Sequence, residues 1–375
     1  MKHTENKDKL KDINKKGKKM NTLEEIKLQA EEIDRLMTTN ITSKFQFNEK
    51  YPIIQLMYNA ARKKAGGDPL SYMVAKNLVD TVKPGDIIFL TSGFIFYKWR
   101  LAETDGPPGV AALARAIDLG LDARSVVITD PGLEEMHIKT VGATGLHYLS
   151  DIDKAMKQNR QFTVLTYPIN RDEAKKLATK LLDDFKPKAI ISVEKPGENI
   201  KGIIHSRVGV DVSFLHGKLD YLMKEAKSRK ILTVGMGDGG NELGMGGIRD
   251  IVEKYTSTGA KCQCPCNAGV AAATELDYAV PCSISNWGAY GIEACLALLL
   301  DNEDVMHDGD LEDRILDTNA YFGGMSGPAF FCLPMVDSLP GKYNRMFVDF
   351  LKYIVDSRIH VTKQFGDYHS GKHAR

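Results

Sequence analysis

The chain has 375 residues, 43% hydrophobic and 26% charged, which supports a sizeable core and excludes a mostly disordered chain. Its formal net charge of +1 hides an asymmetry: residues 1–20 hold eight Lys against three acids, leaving the remainder near −4. Such a body has no electrostatic footprint for nucleic acid, and the Lys-rich residues 1–21 are expected to form a solvated, disordered tail.

No stretch approaches the ~20 apolar residues of a membrane span, and no apolar signal segment opens the sequence. The six Cys are too sparse for a disulfide scaffold. A cytoplasmic protein without membrane or nucleic-acid partners is expected.

From residue 22 to about 80 the pattern is helical. Leu23, Ile26, Leu28, Ile33 and Leu36 recur at helical spacing, and Tyr51–Lys64 and Ser71–Asp80 continue it. From residue 84 short apolar runs alternate with amphipathic helices. The runs are Asp86–Leu90, Ser125–Thr129, Phe162–Tyr167, Ala189–Val193, Lys230–Val234 and Tyr278–Ile284. Helical stretches between them include Val110–Leu119, Asp172–Phe185 and Phe214–Ser228. This alternation predicts an α/β fold: a mainly parallel, doubly wound sheet with helices on both faces and a helical N-terminal segment. Residues 22–375 read as a single catalytic domain. The helical part 22–80 is expected to pack on the sheet or on a neighbouring subunit, which leaves a homo-oligomer open.

In open parallel sheets ligands bind beyond the carboxyl ends of the strands. Thr91-Ser92-Gly93, Asp130-Pro131-Gly132, Tyr167-Pro168, Glu194-Lys195-Pro196-Gly197, Gly235-Met236-Gly237-Asp238 and Ser285-Asn286-Trp287-Gly288 follow the runs. The densest segment, from Ile231 to Gly247, contains seven Gly. Successive N–H groups in such a turn make an anion cradle. Asp238 and Glu242 inside it would repel a phosphate, so they point to an ammonium, a metal or proton transfer. The dinucleotide pattern fits only by letter count, and the Walker pattern fails.

The second dense segment is Trp99–Val110. Pro107 and Pro108 suit a first helical turn, with Glu103, Thr104 and Asp105 just before it; Thr104 or Asp105 is a candidate N-cap. Lys98 and Arg100 are either carboxylate-gripping cations or surface charges. Glu194 and Lys195 are either a surface ion pair or part of a site. Cys262-x-Cys264-x-Cys266 is tighter than usual zinc spacing, and no matching pair follows it, so it reads as a loop of small residues. Ser283, Ser285, Asn286 and Trp287 suit substrate hydrogen bonds or helix capping. No serine-nucleophile elbow or paired-His metal motif occurs.

Glu103-Thr-Asp-Gly-Pro-Pro-Gly109, Gly235-Met-Gly-Asp-Gly-Gly-Asn-Glu-Leu-Gly-Met-Gly246 and Ser285-Asn-Trp-Gly288 together resemble the catalytic domain of the D-glutamate cyclase family, as does Glu194-Lys-Pro-Gly197. The likeness covers roughly residues 50–355. Gly323–Gly327 and Val336-Asp-Ser-Leu339 depart from segments that carry Asp-Gly in the family, and the Cys tract is atypical.

The resemblance implies a hydro-lyase that reversibly dehydrates D-glutamate to 5-oxo-D-proline. That reaction needs a base for the α-ammonium, an acid for the γ-carboxylate and donors for the tetrahedral oxyanion. Asp238 and Glu242 are the first candidates for acid and base, Asp105 and Glu103 the second. Ser92, Gly93, Arg100, Thr104, Gly106, Glu194, Lys195, Gly237, Gly239, Gly240, Asn241, Ser285 and Asn286 are expected to line the substrate. Among them, the glycine-turn N–H groups and Ser92 would donate to a carboxylate or oxyanion, and Arg100 or Lys195 would hold the α-carboxylate. No cofactor is required by the pattern. A divalent metal, Mg²⁺ or Mn²⁺, on Asp105, Asp238 and Glu242 is the alternative to a protein acid. The rival readings are a related lyase or amide-forming enzyme on another small amino diacid, and a non-enzymatic module that binds an amino acid or nucleotide.

Overall fold

The apolar runs pair into one parallel sheet. In the computed structural model, which describes residues 23–41, 52–327 and 329–369, the strands are β1 (Ile87–Thr91), β2 (Ile95–Phe96), β3 (Leu101–Ala102), β4 (Arg124–Thr129), β5 (His147–Tyr148), β6 (Gln161–Thr166), β7 (Ala189–Val193), β8 (Leu232–Gly237), β9 (Tyr278–Pro281), β10 (Met335–Val336) and β11 (Leu339–Pro340). Seven of them form the main sheet in the order β5-β6-β4-β1-β7-β8-β9, and β2–β3 and β10–β11 are small hairpins. Every pairing in the main sheet is parallel. The tail expected over 1–21 lies outside the described residues.

The helices are α1 (23–37), α2 (Ile53–Lys64), α3 (Leu70–Thr81), α4 (Pro107–Leu121), α5 (Glu134–Gly142), α6 (Ile152–Ala155), α7 (Arg171–Phe185), α8 (Asp220–Ser228), α9 (Arg249–Tyr255), α10 (Ser285–Leu300), α11 (Gly309–Tyr321) and α12 (Gly341–His369). Alternate strand residues enter separate cores. Ile88, Leu90, Ile191 and Val234 join α1–α4 and α10–α12, while Phe89, Val126 and Ile190 join α7 and α8. Burial on both faces explains the unbroken apolar runs. Helix α7 shows the local logic: Asn170 accepts from the N–H groups of Asp172 and Glu173 at 2.9 and 3.2 Å, and Ala174, Ala178, Leu181 and Leu182 form the buried stripe. Among the described residues no helix is long and apolar enough to cross a membrane.

Three boundaries differ from the sequence reading. The edge strand β5 is two exposed residues and carries no apolar run. The helix read from Phe214 starts at Asp220, because Gly217 N–H donates to Asp130 Oδ1 at 2.7 Å and Lys218 N–H to Pro168 O at 3.0 Å, which holds the preceding residues as a turn. The last strand stops at Pro281, since Ser285 already begins α10.

The N-terminal helices are fastened to one another through Asp34 of α1. Its buried carboxylate accepts from Leu70 N–H at 2.6 Å, from Tyr58 OH at 2.5 Å and from Ser71 Oγ. It therefore caps α3 from a different helix and holds α2 through Tyr58. Ser283, just past β9, donates through its N–H to Met37 O at 2.9 Å and through Oγ to Thr39 O at 2.5 Å. Elsewhere, His307 joins α10 to α11, with Nδ1 2.7 Å from Glu293 and Nε2 3.3 Å from Glu312. Burial alone would lower His307, but Glu293 and then Glu312 outweigh it and raise it to about 9.

Replacing Asp34 by Ala removes the cap of α3 and strands the Tyr58 hydroxyl. A loss on the order of 3 kcal/mol is expected in urea unfolding; an unchanged midpoint would show that this carboxylate is not the fastening point.

Candidate active site

Strand order reverses between β1 and β7, which places a crevice beyond their carboxyl ends. The register aligns Thr91 with Ser192 and Ser192 with Gly235, so three chain segments leave the sheet at one level. Ser92 and Gly93 follow β1, Glu194 and Lys195 follow β7, and the glycine-rich turn follows β8. Two helices, α4 and α10, begin above this rim.

Those two helices cap each other. Asp105, just before α4, accepts from the backbone N–H groups of Ser285 and Asn286 at 2.7 and 2.8 Å, the first turn of α10. Asn286 returns the contact: its Oδ1 accepts from Gly106 and Gly109 N–H at 2.8 Å each, and its Nδ2 donates to Thr104 O at 3.1 Å. Asp105 is therefore a cap, but of α10 and not of the helix it precedes. Gly106 sits at φ 109°, and a Cβ there would overlap Ser92 Oγ. Only glycine lets α4 start so close to the end of β1.

Six carboxyl groups gather here. Ser285 Oγ donates to Glu194 Oε2 at 2.5 Å, and Glu194 itself adopts a positive φ of 49°. Glu242 turns back on its own loop, where Oε1 accepts from Gly239 N–H at 2.9 Å and Oε2 from Gly240 N–H at 2.8 Å. The anion cradle seen in the sequence is thus filled by the chain's own carboxylate, and two N–H groups expected to serve substrate are committed to Glu242. Gly237 leaves room for this: a Cβ would overlap the Glu242 carboxyl group. Glu103, Asp238 and Asp337 keep part of their surface open, while Asp105, Glu194 and Glu242 are buried.

Crowding and burial set the protonation of this cluster. Burial, against the backbone donors of Ser285 and Asn286, raises Asp105 to about 7. Burial and then the charge of Asp238 raise Glu242 to about 7. Enclosure followed by neighbouring acids holds Glu103, Glu194 and Asp337 well above the ordinary carboxylate range. Two trios share Asp238: Asp105, Asp238 and Asp337, and Glu194, Asp238 and Glu242. In each trio one oxygen per residue lies within 4.8 Å of the others, close enough to converge on one divalent cation. The expected set Asp105, Asp238 and Glu242 is therefore divided between the two trios. A cleft of about 440 Å³ lined by Arg115, His307, Arg314 and Lys352 includes none of these acids; the chemistry points to the strand ends instead.

Other expected residues fall around the cluster. Ser92 Oγ and Thr104 Oγ1 are buried without a hydrogen-bond partner among the described residues. Asn241 Nδ2 donates to His205 O at 3.1 Å. Glu194 and Lys195 are not a surface ion pair, since both are buried and they face different partners. Lys195 Nζ donates to Gly93 O at 3.0 Å and to Asp130, whose Oδ2 also lies 2.9 Å from His216 Nδ1. Burial depresses Lys195, whereas Lys195 and His216 overcome burial and lower Asp130 to about 2. Lys195 is thus tied to Asp130, away from the six acids. Arg100 is exposed on the β2–β3 hairpin with its guanidinium 5.6 Å over the Phe214 ring, and Lys98 is exposed beside it.

Asp337 was not among the expected residues. It occupies the two-residue turn of the β10–β11 hairpin, where Asp337 and Ser338 both take positive φ, 49° and 65°. This is the turn geometry that Asp-Gly commonly fills. The departure of Val336-Asp-Ser-Leu339 from Asp-Gly was thus the available signal. Met325, in the neighbouring Gly323–Gly327 segment, accepts from Thr104 N–H at 3.1 Å and anchors that side of the rim.

A family model described as D-glutamate cyclase-like, C-terminal, matches residues 49–352. The chain belongs to this family. The resemblance carried by Glu103–Gly109, Gly235–Gly246 and Ser285–Gly288 is borne out, and all three segments lie within the matched residues. The human protein named D-glutamate cyclase, mitochondrial, is 29% identical over 221 residues, 56% of this chain and 33% of that protein. The match therefore spans about a third of the curated relative's length. Within this D-glutamate cyclase-like domain the six acids come from four separate stretches of chain.

The acid cluster has a pH signature. A carboxyl raised in the folded state binds its proton more tightly there than when unfolded, so its contribution is full below about pH 4.5 and gone above about 7 for Glu242. Raising the pH from 5 to 8 should therefore favour Glu242→Gln over the unaltered chain by about 3 kcal/mol. Denaturant titrations at both values check this, and a pH-independent difference would contradict the assigned burial of charge.

Proposed function

We propose that this chain catalyses the reversible dehydration of D-glutamate to 5-oxo-D-proline and water, as a carbon–oxygen lyase. The observation that carries the reading is the six-carboxyl cluster at the sheet's reversal point in a chain of the D-glutamate cyclase-like family, with two members raised to about 7. In the forward reaction the α-amine attacks the γ-carboxyl carbon, a C–N bond forms, and one carboxyl oxygen leaves as water. The α-ammonium must first give up a proton, and the departing oxygen must receive protons. Groups that titrate near neutrality serve both directions of such a transfer.

We assign the proton transfer first to Asp238, the partly open acid common to both trios, with Glu242 as its partner. Asp105 and Glu103 are the second pair. Asp105 also holds the N-terminus of α10 in place. The orphan hydroxyls of Ser92 and Thr104 suit hydrogen bonds to a bound carboxylate. A rim of acids attracts the substrate's ammonium but repels its two carboxylates, and the cations expected to balance them are tied to Asp130 or stacked on Phe214. This favours a divalent cation, Mg²⁺ or Mn²⁺, held by Asp238 with Asp105 and Asp337 or with Glu194 and Glu242, which would take the place of a protein acid because the carboxylates holding it stay ionised. When bound, it would supply the positive charge that draws in and polarises a carboxylate.

Purified protein incubated with D- and L-glutamate and both 5-oxoproline enantiomers, with and without Mg²⁺ or Mn²⁺, should interconvert only the D pair by chiral chromatography. Absence of conversion in both directions overturns the reading, and binding without turnover would favour an amino-acid-binding module. Asp238→Asn and Glu242→Gln should each lower kcat at least about 100-fold; full activity in both folded variants removes the role assignment. Added Mn²⁺ should raise the melting temperature more at pH 8 than at pH 5, since protonated acids release a cation. An equal shift at both pH values would argue against binding by these carboxyls.

A further inference from the structure

Outside the acid site, three thiols and an imidazole converge. His205 lies in the excursion between β7 and α8, and Cys262, Cys264 and Cys266 lie in the loop between α9 and β9. His205 Nε2 is 3.2 Å from Cys264 Sγ and 3.5 Å from Cys266 Sγ. Cys262 Sγ is 3.6 Å from Cys264 Sγ and 3.3 Å from Cys266 Sγ. All four atoms lie within 4.8 Å of one another, His205 and Cys262 are buried, and the cysteines are free.

These distances discriminate between ligand chemistries. A disulfide needs its sulfurs at about 2.05 Å. Zn–S bonds of about 2.3 Å and a Zn–N bond of about 2.0 Å in tetrahedral array place ligand atoms about 3.5–3.8 Å apart. The observed separations approach the second pattern. Three soft sulfurs and one imidazole match zinc in preference to the hard, oxygen-seeking cations suited to the carboxyl cluster.

The surroundings are built to hold the thiols. Asn199 Nδ2 lies 3.5 Å from Cys266 Sγ while donating to Gly269 O at 2.7 Å, and Cys266 N–H lies 3.4 Å from Cys264 Sγ. Such N–H donors stabilise thiolates around a metal. Backbone contacts fix the two segments in register: Gln263 N–H donates to Gly209 O at 3.0 Å, and Asn241 Nδ2 to His205 O at 3.1 Å.

We propose that His205, Cys262, Cys264 and Cys266 bind one zinc ion in a closed, four-ligand structural site. It ties the β7–α8 excursion to the loop behind the glycine-rich turn. Both tied segments touch the acid site: Pro196 bridges Glu242, and Ala272 N–H donates to Gly240 O at 3.0 Å. The metal's task is to hold the turn that carries Asp238 and Glu242. With all four positions taken by protein, it has no position for substrate.

The test uses the full chain purified under reducing conditions without chelator. One zinc per chain is expected by elemental analysis, retained in the exposed-site control Cys332→Ser and lost in Cys264→Ser. His205→Ala should weaken zinc binding by more than about 100-fold, beyond what losing a supporting hydrogen bond costs. The unaltered protein carries the decisive arm, independent of whether variants fold. After zinc is removed, Co²⁺ should produce thiolate-to-cobalt charge transfer and the intense d–d bands of a tetrahedral site. Removing zinc should lower the melting temperature, and one equivalent should restore it. Absence of the cobalt–thiolate bands, zinc content unchanged in Cys264→Ser, or a disulfide among these cysteines in the native protein would each overturn the proposal.

Discussion

Above the crevice, α4 and α10 start face to face, and each receives its N-terminal hydrogen bonds from the segment that opens the other. Asp105 satisfies α10 and Asn286 satisfies α4. An unsatisfied buried helix terminus is expensive, so neither segment can move without exposing the donors of its partner. Much follows from that constraint. Glu103 and Thr104 are carried in with Asp105, Ser285 is placed against Glu194, and Gly106 is forced against Ser92. The site's frame is therefore made of backbone ends, with the chemistry-bearing groups hung from it.

What the frame holds is electrostatically unfavourable. Six carboxyl groups share a small, partly buried space, and the nearby buried lysine is turned to Asp130. In a structural cluster, cations would have been recruited to lower the cost. Here the backbone N–H pairs of Gly239 and Gly240, and of Ser285 and Asn286, stabilise single members while the cluster as a whole stays crowded. Such a collection of raised carboxyls is the pattern of a functional site that trades stability for proton binding or for a cation.

Much of this was legible in the sequence. The alternation of apolar runs and helices carried the parallel sheet, because strands buried on both faces need no polar interruption. The acids within the glycine turn and the Glu103–Gly109 segment also stood out, since carboxyls in tight turns at strand ends have few structural uses. What was hidden depended on distance along the chain. Asp337 joins the site through a hairpin whose turn carries Ser where glycine is customary, so its pattern looked eroded. His205 completes the Cys cluster from 57 residues upstream of Cys262, whereas local spacing directs attention downstream. Lys195 looked like a substrate clamp because nothing in its neighbourhood of sequence announces Asp130 and His216. Cross-capping by Asp105 was similarly invisible: it resembles an ordinary cap until the helix it serves proves to begin at residue 285.

The six acids are spread widely, with Asp337 lying 234 residues after Glu103. Contacts between such distant segments close late, after loop entropy has been overcome by the sheet and its helices. Five of the acids hang from the strand ends and the start of α4, so only the repulsion that Asp337 adds waits for the β10–β11 hairpin to dock. Energies acting after the transition state change the rate of unfolding and leave the rate of folding nearly untouched. The repulsion this hairpin meets on docking is thus a spring compressed at the end of assembly, which shortens the lifetime of the native state without slowing its arrival.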